Sequence, residues 1–195
     1  EALGKGYKLE FLESTGLTIP RDDRPFDRFK GRVMFPIQSM SGRVLGFGGR
    51  ILTNDKKAAK YLNSPESDIY HKSKVLYGIY QAKQAIAKQN NCFLVEGYTD
   101  VMACHLAGIT TAVATCGTAF GDDHIRIINR MLSAEKDTPA QVIFTFDPDA
   151  AGQKAAMRAF NDSHKFSAQT FVAVGPEGLD PCDLRSQKGD EAVRL

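Results

Sequence analysis

The chain has 195 residues, 43% hydrophobic and 25% charged, which suits one medium domain or two small ones around a real core. No apolar run approaches the roughly 18 residues a membrane-spanning helix needs, and the start, EALGKGYKLEF, has neither an initiator Met nor an apolar signal segment, so a fragment of a longer protein is expected. The net charge of +2 hides an asymmetry: residues 1–91 carry 16 Lys and Arg against 9 Asp and Glu, residues 92–195 carry 9 against 14. A basic half joined to an acidic half suits a protein that grips a polyanion with one part and holds metal with the other, the alternative being an uneven solvated surface. Four widely spaced cysteines (Cys92, Cys104, Cys116, Cys182) form no CxxC pair and no zinc-ligand spacing, and read as thiols in a reduced, cytoplasmic protein.

In chain order, residues 1–28 mix turn formers with charges, and Pro20 and Pro25 argue against a long helix. Residues 32–37 (RVMFPI) and 43–52 (RVLGFGGRIL) read as two strands joined around Ser41-Gly42. Gly46, Gly48 and Gly49 would weaken an ordinary strand, and mark a bulge or a backbone that another chain approaches closely. Residues 54–60 read as a polar loop and 61–68 (YLNSPESD) as turn-rich. From about 75 to 88, Leu76, Ile79, Ala82 and Ile86 recur at helical spacing, with lysines on the other face.

After Asn90-Asn91 the pattern changes. Four apolar runs, at 92–95, 110–115, 141–146 and 169–174, alternate with helical periodicity at 99–107, 122–131 and 150–160. Apolar strands alternating with helices of this length predict a parallel sheet covered on both faces. The expected architecture is therefore α/β: a parallel sheet flanked by helices over 92–195, preceded by a smaller basic mixed α+β subdomain over 1–91.

Chemistry in such a sheet collects at the carboxyl ends of the strands. The first strand runs into Glu96-Gly97 with Asp100 a turn further, the third into Asp147-Pro148-Asp149, and the fourth, after a Gly-Pro-Glu-Gly turn, into Asp180-Pro181-Cys182-Asp183. Clustered carboxylates repel unless a cation lies between them, and oxygen-only donors favour a hard ion, Mg²⁺ or Mn²⁺. Two such ions can activate an attacking hydroxyl and stabilise the leaving oxygen in phosphoryl transfer. The plainer reading of Asp100, Asp122 and Asp149 is helix capping, since each precedes a helical segment. His124 is expected to cap or pack at its helix, His105 to be partly buried, and His71 to lie beside the basic loop.

The order Glu-Gly-x-x-Asp at 96–100 and Asp-x-Asp-x-x-Gly at 147–152 resembles the Toprim fold shared by primases and topoisomerases. FLVEGYTDVMACHLAGITTAVATCGTAFGDDHI, with RVMFPIQSMSGRVLGFGGRIL and KYLNSPESDIYHKSKVLYGIYQAK upstream, is similar to bacterial DnaG-type primases over nearly all of residues 24–185. That resemblance implies a nucleotidyltransferase, a DNA-directed RNA polymerase that makes short RNA primers on single-stranded DNA for replication. It implies Glu96 as metal ligand or general base, with Asp100 as the second acid of the same catalytic motif. It also implies Asp147 and Asp149 as metal ligands and Asp180 as the first acid of the last motif. Cys182 stands where the family places a second Asp; either Asp183 takes over after a small backbone adjustment or that ligand is absent.

In the basic half Arg50, Lys60 and Lys72 match positions the family uses to hold nucleic acid or the incoming nucleotide, and Asn63 is placed to donate to a phosphate or sugar. The implied cofactors are two or more Mg²⁺ or Mn²⁺ ions, with no zinc in this stretch. The implied partners are template DNA, ribonucleoside triphosphates, the RNA primer and, through a C-terminal domain beyond this stretch, the replicative helicase of the primosome in the bacterial cytoplasm at the nucleoid. A zinc-binding domain is expected upstream. The alternatives are a Toprim nuclease or topoisomerase that cleaves DNA, for which no tyrosine has a defensible context, and a non-catalytic DNA-binding scaffold.

Overall fold

The computed structural model describes residues 1–21, 25–53, 58–133, 137–145 and 162–194. The predicted helix at 150–160, with Asp147 and Asp149 ahead of it, lies outside the described residues.

The N-terminal stretch forms one short helix, α1 (Leu9–Ser14), and a two-residue hairpin of β1 (Thr18–Ile19) against β2 (Phe26–Asp27). Beyond it, β3 (Arg32–Gln38), β4 (Val44–Ile51) and β5 (Tyr61–Asn63) make an antiparallel sheet in the order β3-β4-β5. The register passes from Ile37↔Gly46 to Gln38↔Val44, so Leu45 is the extra residue of a bulge, one of the two outcomes the glycines predicted. The glycines are also approached closely, here by groups of the same chain. A Cβ on Gly48 would overlap the Tyr98 ring, and one on Gly49 would crowd Phe29 and Arg32. Strand β5 replaces the turn expected at 61; three residues are too few for a periodic signal, and pairing with β4 holds them extended.

Helix α2 (Ile79–Gln89) ends at Asn90, whose left-handed backbone (φ 57°, ψ 30°) suits an asparagine. Then follow β6 (Asn91–Val95), α3 (Tyr98–Leu106), β7 (Ala112–Ala114), α4 (Asp122–Asn129), β8 (Gln141–Thr145), β9 (Gln169–Ala173), α5 (Pro181–Lys188) and α6 (Asp190–Arg194). The four strands are all parallel, in the order β7-β6-β8-β9. On one face Cys92 and Leu94 of β6 and Val142 and Phe144 of β8 pack on Ile79 and Ile86 of α2 and Ile125 and Ile128 of α4. On the other, Val95, Ala112 and Ala114 pack on Val101 and Cys104 of α3. Each fully buried branched side chain contributes about 1.5–3 kcal/mol, so both faces are covered for a physical reason.

Helix α2, which closes the basic half in sequence, is thus built into the core of the α/β layer. A separate cluster, Phe35, Ile37, Tyr70, Val75, Tyr98 and Cys116, joins the antiparallel sheet to the parallel one. Strand β9 is an edge, and Phe171 and Val172 on it are exposed. Among the described residues no helix is long and apolar enough to cross a membrane.

Candidate active site at the strand ends

The chain leaves β6 for β7 on one side and returns to β8 on the other, so the carboxyl end of β6 is where the winding reverses. Crevices at such reversals are where open α/β sheets bind ligands. Glu96 is the first residue past β6 and is exposed there. The next turn is held by a local cap: the Gly97 amide donates to Asp100 Oδ2 at 2.9 Å. Asp100 is buried and lies inside α3, not ahead of it as the capping alternative expected; from the third helical position its carboxylate reaches back to the Gly97 cap amide.

The end of β7 is the Cys116-Gly117 turn. Gly117 takes φ 71°, open to glycine, and a Cβ there would collide with the Asn63 amide. Asn63 reaches in from β5. Its Nδ2 donates to the Cys116 carbonyl at 3.1 Å, and its Oδ1 accepts from the Tyr98 hydroxyl at 2.8 Å. Tyr61, Asn63, Glu96, Gly97, Tyr98, Thr115 and Gly117 line a cleft of about 290 Å³ between the two sheets.

Tyr98 is almost wholly buried, stacked on Phe35 at 5.3 Å and edge-on to Tyr77 at 4.6 Å. Burial raises its phenol well above the ordinary value. Burial likewise pushes the Cys116 thiol up to about 11.

After β9, Asp180 caps α5: its Oδ1 accepts the Asp183 amide at 2.6 Å, with Pro181 in the first turn. Cys182 lies against the first turn of α3. Its thiol is raised by burial and then by the charges of Asp100 and Asp180, and the Thr99 side chain bonds it. Asp183 is exposed. Among the described residues no three His, Cys, Asp or Glu side chains converge as a metal cluster. The donors that are described, Glu96, Asp180 and Asp183, carry carboxylate oxygens of the kind a hard divalent ion takes, and they fit such an ion in chemistry.

On the basic side Arg50 and Lys60 are exposed neighbours. Arg50 pairs in register with Tyr61 and holds its guanidinium 5.9 Å from that ring, and the Lys60 carbonyl accepts the Ile51 amide at 3.0 Å. Lys72 is half-buried in a 3-10 turn (Lys72–Lys74), its carbonyl bonded at 3.0 Å to Nε2 of His124. Nδ1 of His124 accepts the Gly121 amide at 3.2 Å, so His124 caps α4 as expected and also ties the Lys72 turn to it. His105 bonds the Ala112 carbonyl, His71 meets Glu66, and Phe47 packs edge-on to Phe29. Asn63 is expected from the sequence to donate to a phosphate or sugar; its bridge to Tyr98 and Cys116, 35 and 53 residues away, left no trace in local spacing.

Two family models match the chain: the DNA primase catalytic core, N-terminal domain, over residues 1–83, and the Toprim domain over residues 90–174. The parallel sheet with its acidic turn after β6 is that of a Toprim-fold α/β protein. The DNA primase of Streptomyces coelicolor is 57% identical over 190 residues, 97% of this chain and 29% of that protein. The RNA polymerase domain of Mycobacterium tuberculosis primase DnaG superposes with a TM-score of 0.89 at 48% identity, covering 98% of this chain and 62% of that one. The same domain in complex with a double-stranded DNA oligomer with a 6-nucleotide overhang superposes with a TM-score of 0.88 at 48% identity, covering 98% and 60%. The chain belongs to the bacterial DnaG-type primase family. It spans about three tenths of the length of the curated relatives it matches.

Proposed function

We propose that this chain is the centre of a DnaG-type primase, a DNA-directed RNA polymerase that copies single-stranded template into short RNA primers for replication. The observation that carries this reading is the cleft itself. Glu96, at the carboxyl end of β6, shares it with Tyr61 and Asn63 of the basic sheet, beside Arg50 and Lys60. A carboxylate in the cleft, with a basic side chain paired to one of the cleft's own residues, is the arrangement template-directed phosphoryl transfer requires. The DNA bound by the M. tuberculosis relative supports the same substrate class.

In this reading residues 1–91 form the nucleic-acid-binding module and residues 92–195 the metal-binding catalytic module. Arg50, Lys60 and Lys72 hold template and triphosphate oxygens. Toprim primases are metal-dependent as a family, and Glu96, Asp147, Asp149, Asp180 and Asp183 would hold two or more Mg²⁺ or Mn²⁺ ions. Bound divalent cations supply charge neutralisation for the triphosphate and acidify the attacking hydroxyl. The primer 3′-hydroxyl attacks the α-phosphorus of a ribonucleoside triphosphate, its proton passes to Glu96, and pyrophosphate leaves. Asp100, buried and bonded to the Gly97 amide, holds the Glu96 turn in place. The replicative helicase is reached through a further domain, and the setting is the bacterial cytoplasm at the nucleoid.

DNA cleavage of the topoisomerase kind needs a tyrosine nucleophile, and Tyr98, the tyrosine nearest the acidic turn, is buried and bonded through its hydroxyl. Labelled ribonucleotides, a single-stranded template and Mn²⁺ test the reading: short RNA supports it, and nicked DNA without RNA overturns it.

A further inference from the structure

Three features compete for a further role. The apolar hollow around Phe93, Ile109, Val174 and Leu184 and the groove between α2 and α3 at Met102 and Leu106 show nothing of what would cover them. The contact between the two sheets at Tyr98 is different, because its geometry names the function.

Tyr98 is two residues past Glu96 and opens α3. Its ring lies in the space that a side chain at Gly48 of β4 would occupy, and its hydroxyl donates to Asn63 of β5 at 2.8 Å. Asn63 then donates to the Cys116 carbonyl at 3.1 Å, in the turn after β7. One amide therefore ties together the turn after β6, the turn after β7 and the edge of the basic sheet. Both glycines that allow this, Gly48 and Gly117, have no room for a Cβ.

We propose that Tyr98 and Asn63 are positioning residues: their bridge fixes the basic sheet against the Glu96 turn, so that phosphates held by one module meet the carboxylate of the other. This rests on the primase reading. Positioning of this kind acts on the transition state more than on ground-state binding.

The experiment uses the full-length protein with Tyr98→Phe, which keeps the ring and removes only the hydroxyl, Asn63→Ala, the two combined, and Gly48→Ala. Each single substitution is expected to lower kcat for ribonucleotide incorporation about tenfold while leaving KM for the ribonucleotide within about twofold. The combined variant should be no worse than the worse single one, because both remove the same bridge. Hydrogen exchange gives a readout independent of activity: amides at 61–63 and 115–118 should exchange faster in Tyr98→Phe, with those of β3 unchanged. A rise in KM at constant kcat for Asn63→Ala, additive losses in the double variant, or unchanged exchange would each overturn the proposal. Loosened exchange in a protein whose wild type makes no primer would count against the primase reading and leave the bridge standing.

Discussion

Asn90 and Cys182 show how single residues carry distinct loads. Asn90 is fully buried in left-handed backbone; its Nδ2 donates to the Ser133 and Thr138 carbonyls at 2.8 and 2.7 Å, and its Oδ1 accepts the Ser133 amide at 2.9 Å. Asn90→Ala loses these bonds and strains the turn, and should cost about 3 kcal/mol in urea unfolding. Asn90→Gly, free of the backbone strain, should cost about 1 kcal/mol less. A cost below that of one ordinary hydrogen bond would contradict this account. At Cys182, Cys182→Asp adds a hard oxygen donor and should tighten Mn²⁺ binding on the order of tenfold by calorimetry. Unchanged affinity would place the ion away from the start of α5. Cys182 at a position where the resemblance implies an acid was legible in the sequence, whereas its contact with Thr99 was not, because it joins residues 83 positions apart in chain order.

At the scale of elements, the junction of α4 with the Lys72 turn depends on a neutral imidazole. Nδ1 of His124 must accept the Gly121 amide, which a protonated ring cannot do. Burial holds its pKa below the ordinary 6.5, so the unfolded chain takes up the proton first as pH falls. Stability from this group is therefore full above about pH 6.5 and is lost as pH drops toward the folded value. Denaturation at pH 7.5 and pH 5.5 should show a smaller loss in His124→Gln than in the parent; equal losses would mean the ring is not the titrating group. Elements with a strong period were legible: β6, β7, β8 and β9 follow apolar runs, and α2, α3 and α4 follow helical spacing. Strand β5 and helices α5 and α6 were not. The first is too short to show a period, and the Asp180-Pro181 start of α5 looked like a ligand motif when it is also an N-cap.

Across the whole molecule, a basic antiparallel sheet and an acidic parallel one meet at a shared cleft, joined by the cluster of Phe35, Tyr70, Tyr98 and Cys116. The charge asymmetry along the chain gave no sign that α2, on the basic side of residue 91, is built into the α/β core. Nor did the sequence show that Gly48 is kept open for Tyr98, a partner 50 positions away. If Arg50, Lys60 and Lys72 track phosphates, neutralising any one should weaken DNA binding for all sequences alike and reduce the slope of log K against log salt by about 1. A loss confined to particular sequences would show base reading instead.

The most direct measurement is ribonucleotide incorporation on a single-stranded template with Mn²⁺, comparing the full-length protein with Glu96→Gln and with Asp147→Ala combined with Asp149→Ala. Short RNA products are expected from the parent, with a loss of at least about a hundredfold in both variants. Parent-like primer synthesis in either variant would contradict the placement of the chemistry at these strand ends.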